Sequence, residues 1–313
     1  MNYNVLISAP YLIPVIDDYR PLLQARGCEV VVADVDERLS AAQLLPLVGD
    51  IDGVICGDDE WTAEVLAAAP RLKVLSKWGT GIDSIDQAAA AARGVAVRNI
   101  PNAFSEPLAD TVLGWILWFA RRLPEQLALL QRGGWEKLPG HALNEATLGV
   151  IGVGHCGKAV IRRAHACGMT ILGHDIREID ADFVERYPVD TVNLETLLAR
   201  ADYVSLNCDL NPTSRYLICA ATLEQMPAHA VLLNSARGPL VKEADLIAAL
   251  QAGRLRGAAL DVFEHEPLPP DNPLRSMEQV VLSAHNANSS PRAWQRVHQR
   301  ALENMLQVLE NAV

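Results

Sequence analysis

The sequence predicts an α/β fold divided into two domains, and three observations predict it. The chain has 313 residues with 50% hydrophobic content, enough for two buried cores and long for one. Short apolar runs alternate with helical segments along the whole chain, the pattern of parallel sheets covered by helices. A glycine-rich turn, Gly152-Val153-Gly154-His155-Cys156-Gly157, stands near the middle, so what precedes it must form a separate unit.

The first series of strand-like runs covers residues 4–8, 29–33, 53–56, 74–77 and 95–98, with helical segments such as 62–69 between them. Residues 1–99 are therefore assigned to one parallel α/β domain, and the segment containing Pro101 to a hinge. The most hydrophobic helix, 108–120, contains Asp110, ends at Arg121-Arg122, and is too short to span a bilayer. A second series places strands near Val150, Ile171, Val204, Val231, Ala259 and Val281, which assigns residues 100–286 to a nucleotide domain. The last segment, 287–313, carries a helix opened by Ser290-Pro291, a cap and a first-turn proline, with Trp294, Val297, Ala301, Met305 and Val308 on one stripe. The apolar N-terminus, 5–16, lacks a basic flank, contains Pro10 and Pro14 and runs into Asp17-Asp18. It reads as a strand and turn rather than a signal peptide.

Composition narrows the partners. A net charge of -11 without a Lys/Arg run opposes binding to nucleic acid or to an anionic membrane and points to a small molecule. Cys28, Cys56, Cys156, Cys167, Cys208 and Cys219 lie singly, without metal-ligand spacing. They read as small buried hydrophobes in a reducing compartment, the cytoplasm, with neither disulfides nor a metal expected.

The glycine-rich turn follows an apolar strand, 147–153, and precedes a helical segment; a second strand, 170–175, ends in Asp175. Each part has a physical purpose in a dinucleotide site. Gly152 permits the tight strand-to-helix turn, Gly154 lets backbone approach a pyrophosphate, and Gly157 lets helix pack closely on strand. The first helical N–H groups then face the phosphates. Asp175 can accept from both ribose hydroxyls and repels a 2′-phosphate, favouring NAD over NADP.

Three residues in the second half suggest the chemistry. Arg237 follows the strand 231–236, Glu266 lies in the loop after the strand near Ala259, and His285 ends the strand 280–284. Singly, each has an ordinary reading as a paired surface arginine, a solvated turn or a satisfied histidine. All three, however, fall at or beyond strand C-termini, where doubly wound sheets bind ligands. A guanidinium to bind a carboxylate and polarise a carbonyl, an imidazole to move a proton, and a carboxylate to hold that imidazole together suit hydride transfer to a 2-oxo acid.

The segments Leu233-Asn234-Ser235-Ala236-Arg237-Gly238-Pro239-Leu240-Val241, Gly257-Ala258-Ala259-Leu260-Asp261-Val262-Phe263-Glu264-His265-Glu266-Pro267 and Lys77-Trp78-Gly79-Thr80-Gly81-Ile82-Asp83-Ser84-Ile85-Asp86 resemble the D-isomer-specific 2-hydroxyacid dehydrogenases. That family includes phosphoglycerate dehydrogenase and hydroxypyruvate/glyoxylate reductases. The resemblance covers essentially the whole chain. It implies a flavodoxin-like substrate-binding domain interrupted by a Rossmann domain, NAD as cofactor, and a homodimer burying the helix from about Ser105 to Leu123. It also implies that Arg237, Glu266 and His285 are the catalytic residues, with Arg237 binding substrate alongside the backbone N–H groups of Thr80 and Gly81. His155, Cys156, Ala236 and Asp261 join Gly152, Gly154, Gly157 and Asp175 as cofactor-binding positions, Asp261 near the nicotinamide carboxamide.

Departures from the family pattern sharpen the expectation. Asn207 and Asp209 stand where the family often has His and Pro beside the adenine, Asn286-Ala287-Asn288-Ser289 replaces a glycine-rich turn, and Asp110 replaces a usual Glu. Gly57-Asp58-Asp59-Glu60-Trp61 lacks the arginines that some phosphoglycerate dehydrogenases use for phosphate, and its acids would repel one. A regulatory extension like that of longer phosphoglycerate dehydrogenases is not expected. Two alternatives stay open: an NAD(H)-sensing co-repressor of the same fold, and a formate dehydrogenase, although the latter pairs its histidine with glutamine rather than with a residue like Glu266.

Overall fold

The computed structural model describes residues 2–311. Everything described up to Phe104, together with the segment from Ser290 onward, forms one compact unit, and Ser105–Ser289 forms the other. The second unit is thus an insertion in the chain of the first.

The first unit contains β1 (Tyr3–Ile7), β2 (Cys28–Val32), β3 (Gly53–Cys56), β4 (Val74–Lys77) and β5 (Ala96–Arg98). They pair in the order β2-β1-β3-β4-β5, every pair parallel, which is the flavodoxin-like order. Strands β3 and β4 are buried at every position; β3 reads as an unbroken apolar run, as expected where helices cover both faces, while β4 ends in the buried polar pair Ser76-Lys77. The edge strand β2 exposes Val31 and Val32 instead. The C-terminal helix Pro291–Asn311 docks on this sheet, since a Cβ on Gly53 would lie 3.2 Å from Met305 and 3.3 Å from Leu309. Sequence alone did not show where its stripe packs. Its buried face also includes two polar side chains, His298 and Asn304.

The inserted unit contains β6 (Thr147–Ile151), β7 (Thr170–His174), β8 (Asp190–Thr191), β9 (Tyr203–Leu206), β10 (Val231–Asn234), β11 (Gly257–Leu260) and β12 (Val280–Leu282). Their order is β12-β11-β10-β9-β6-β7-β8, again all parallel. The order reverses between β6 and β9, the switch point of a Rossmann fold where ligands bind.

The expected helix from Ser105 to about Leu123 is corrected to Ser105–Ala120, followed by a second helix, Leu123–Gln131. Arg122 takes left-handed backbone, φ 53°, and Pro124 lies in the first turn of the second helix, so one continuous helix is excluded. Several strands end sooner than expected, at Ile7, Val32, Ile151, His174 and Leu282. The residues after them leave the ladder to build turns, and those turns form the site.

Candidate active site

Three neighbouring strands carry the proposed acid, base and cation. β10, β11 and β12 run parallel and in register, so Arg237, Glu266 and His285 all follow strand ends on one edge of the sheet. Asn234, 1% exposed, shapes the turn that presents Arg237. Its Oδ1 accepts from Ala236 N at 3.1 Å, and its Nδ2 donates to Arg237 O at 2.9 Å. The Arg237 guanidinium donates back to Ala236 O at 2.8 Å. Gly238 then has to be glycine. A Cβ there would sit 1.8 Å from Phe263 O, so the arginine turn lies directly against the backbone that leads into Glu266.

Glu266 uses both carboxylate oxygens. Oε1 accepts from Phe263 N at 2.9 Å, folding the loop back on itself, and Oε2 lies 3.0 Å from His285 Nδ1. A carboxylate only accepts, so this contact places a proton on Nδ1 and leaves Nε2 as the ring atom that gives or takes one. Both side chains are only partly exposed, 20% for Glu266 and 23% for His285.

His285 has φ 47°, a left-handed conformation that a residue with a Cβ keeps only when its surroundings over-determine it. Asp261, 1% exposed, supplies that determination. Its carbonyl accepts from His285 N at 2.8 Å, Oδ1 from Asn286 N at 2.7 Å and from Ser283 Oγ, and Oδ2 from Ala287 N at 2.9 Å. Both carboxylate oxygens of Asp261 are thus committed to the turn that follows β12. The expected nicotinamide contact does not include these bonds, and the sequence alone assigns no role to Asn234 or Ser283. A polar residue closing a buried strand next to a turn was the available signal.

The glycine-rich turn sits at the switch point. Gly152 has φ 88°, and a Cβ there would lie 2.6 Å from Cys208 N; on Gly157 it would lie 2.1 Å from Gly152 O. Protein contacts therefore require glycine at both places. At Gly154 an added Cβ meets nothing within 4 Å, so the space in front of it is open. The helix His155–Ala166 starts here, with its first N–H groups unpaired by helical bonding. The Cys156 Sγ lies 3.6 Å from Ser105 Oγ, and burial pushes its thiol above the usual range. His155 is exposed at the first helical position. Asp175 caps the crevice, accepting from Val153 N at 2.7 Å and Arg177 N at 2.9 Å, which leaves acceptor capacity on a carboxylate for further donors.

A dinucleotide fits these residues. Besides the open face at Gly154, two buried oxygens near the crevice, Asn207 Oδ1 and Ser235 Oγ, have no hydrogen-bond partner in the protein. Such orphans are uncommon and call for a ligand or water. Asn207 Nδ2 is occupied, donating to Ser205, so the orphaned oxygen is directional. Gly154→Val is expected to weaken NADH binding roughly tenfold or more, because it fills the approach to the phosphates. The same change should move thermal unfolding little, because a Cβ at this position meets no protein atom within 4 Å. Fluorescence titration and a melting curve on one preparation check both halves.

Thr80 and Gly81 belong to the other unit, in the loop after β4. Thr80 Oγ1 donates to Ile100 O at 3.0 Å, and Asn99 Nδ2 donates to Thr80 O. Neither bond uses the backbone N–H groups expected to bind substrate.

Fold and site define a dinucleotide-dependent oxidoreductase. Residues 113–287 match the family model for the NAD-binding domain of D-isomer specific 2-hydroxyacid dehydrogenases. A glyoxylate reductase from Thermofilum pendens is 37% identical over 90% of this chain and 86% of its own length. A D-3-phosphoglycerate dehydrogenase from Methanocaldococcus jannaschii is also 37% identical over 90% of this chain, which spans only 54% of that protein. The crystal structure of the TT0316 protein from Thermus thermophilus is 35% identical, with a TM-score of 0.84, covering 98% of this chain and 97% of that one. The chain belongs to the D-isomer-specific 2-hydroxyacid dehydrogenase family, is an NAD-dependent oxidoreductase, and uses NAD as its cofactor. Among the described residues no helix is long and apolar enough to cross a membrane.

Proposed function

We propose that this enzyme interconverts a small, unphosphorylated 2-oxo acid and the D-2-hydroxy acid, with His285 as proton donor and acceptor. The observation that carries the reading is the 3.0 Å bond between His285 and Glu266, built beyond the ends of β12 and β11, next to β10, which Arg237 follows. When bound, the nicotinamide gives or takes the hydride. Arg237 is read as binding the substrate carboxylate and polarising the carbonyl, and the Thr80 and Gly81 N–H groups as carboxylate donors of their own unit. His285 Nε2 delivers the proton to the carbonyl oxygen, and Glu266 keeps the ring in the orientation and tautomer that allow it. Asp175 holds the adenosine ribose and disfavours a 2′-phosphate.

Two observations support an unphosphorylated substrate. Asp59 is buried and accepts from Ser8 Oγ at 2.6 Å and Leu39 N at 2.8 Å, and Lys77 is paired with Asp58 at 3.2 Å. This segment therefore offers a phosphate no arginine and a lysine already neutralised. NADH oxidation should be measured with glyoxylate, hydroxypyruvate, pyruvate, longer 2-oxo acids and 3-phosphohydroxypyruvate. Turnover of an unphosphorylated member is expected. Intact NADH binding with silence across the panel would count against the reading, NADH-dependent capture of a protein without turnover would favour the co-repressor, and formate oxidation would favour the formate enzyme.

We further propose a homodimer through the helices Ser105–Ala120 and Leu123–Gln131, where Trp118, Leu127 and Leu130 are 41%, 59% and 55% exposed. A monomer by light scattering at micromolar concentration would refute this. Six free cysteines are consistent with a reducing, cytoplasmic setting.

A further inference from the structure

We propose that His298, on the C-terminal helix, is a positioning residue for the loop Gly79-Thr80-Gly81, acting through the indole of Trp78. The inference rests on the reading of that loop as the substrate-carboxylate site.

Trp78 is the last residue before the loop. Its backbone N extends the ladder of β4 by donating to Cys56 O at 2.8 Å, and its side chain is 5% exposed. The indole is packed by Tyr11, Phe104 and Trp294 at centroid distances of 5.4, 5.5 and 6.1 Å. Within this apolar surround its Nε1–H donates to His298 Nδ1 at 2.9 Å, and His298 is itself 6% exposed. Burial holds the imidazole below its usual pKa, so Nδ1 offers a lone pair at neutral pH. Two apolar residues would fill the same volume without a directional bond. A buried donor and acceptor instead admit one orientation of the indole, because leaving either unpaired is costly.

The same helix grips the loop's surroundings twice more. Ser76 Oγ on β4 donates to Ala301 O at 2.7 Å, and Asn304 Nδ2 donates to Asn99 O at 3.2 Å. Asn99 in turn donates to Thr80 O, and Ile100 N donates to Gly79 O at 2.9 Å. Gly79 itself has φ 129°, with the Phe104 ring 3.5 Å from where a Cβ would stand. The loop is therefore strung between two segments, each braced by one face of the helix, with Trp78 as its entry. Backbone N–H groups that recognise a carboxylate must be aimed within fractions of an ångström, and rotation of the indole would move them first.

The test measures steady-state kinetics of the full-length enzyme with NADH and glyoxylate, or another 2-oxo acid that is turned over. His298→Leu is expected to raise KM for the 2-oxo acid about tenfold, with kcat within about threefold and NADH affinity unchanged. His298→Asn, whose Oδ1 can take the place of Nδ1, should return KM to within about twofold of the native value. Trp78→Phe should raise KM, and the double variant with His298→Leu should be no worse than the poorer single one. An unchanged KM in His298→Leu, or equal impairment in His298→Asn, overturns the proposal. If His298→Leu does not fold, Trp78→Phe against His298→Asn decides, with KM raised only in the first. Gly81→Val separates the two claims. If it leaves KM unaltered, the loop does not hold the carboxylate and both fall; if it raises KM while His298→Leu does not, only the positioning role is lost.

Discussion

Replacing His285 by alanine is expected to lower kcat by roughly two to four orders of magnitude, the usual range for losing a general acid, with NADH affinity unchanged. The asymmetry follows from position. His285 lies after β12 and the glycine-rich turn after β6, at opposite sides of β9, β10 and β11 in the sheet, so removing the imidazole leaves the phosphate end of the site intact. Glu266→Gln gives a graded version of the same experiment. The amide oxygen can still accept from His285 Nδ1–H, but the neighbouring charge that stabilises an imidazolium is gone. Its kcat should therefore fall less than that of His285→Ala. Stopped-flow single turnovers with NADH in excess separate the chemical step from product release. A His285→Ala single-turnover rate within tenfold of native would remove the imidazole from the reaction.

How much of this was legible in the sequence depended on whether a residue's task was local. The buried strands of both sheets stood out because a strand covered on both faces is mostly apolar, throughout in β3 and β11 and with only Ser76 and Lys77, Ser205 or Asn234 interrupting β4, β9 and β10. The two-residue edge strand β8 is exposed at both positions and carries no such signal. The glycine fingerprint and Asp175 were readable because their geometry is fixed within one strand-turn-helix unit. The bracing was not, because it joins residues distant in sequence. Asp261 meets Asn286 and Ala287, and Trp78 meets His298, contacts that no periodicity announces. His298 and Asn304 were invisible for a further reason: a hydrophobic stripe is drawn through apolar residues, so polar members of the buried face drop out of the pattern.

Asp261→Ala should damage stability and catalysis together, which distinguishes a scaffold from a cofactor contact. The carboxylate accepts from two backbone N–H groups and a serine hydroxyl inside the protein. Truncation leaves those donors without a partner, the Ala287 N–H buried and the other two part-buried. Each buried unsatisfied donor costs on the order of 1–3 kcal/mol. If the turn relaxes only partly, a total near 3 kcal/mol is expected, or roughly 6–12 °C in the melting temperature of a unit this size. The catalytic loss follows from the same bonds. They hold the turn in which His285 keeps a left-handed backbone at φ 47°, a conformation costing on the order of 1–3 kcal/mol that the free turn would abandon. The imidazole would then leave Glu266, and kcat should fall by at least about a hundredfold at temperatures where the variant remains folded. Asp261→Asn keeps one acceptor oxygen and should recover part of both losses. A contact to the nicotinamide alone predicts another result, in which NADH binding weakens while the melting temperature of the cofactor-free enzyme stays put. Measuring apo-enzyme melting beside NADH affinity for Asp261→Ala decides between them.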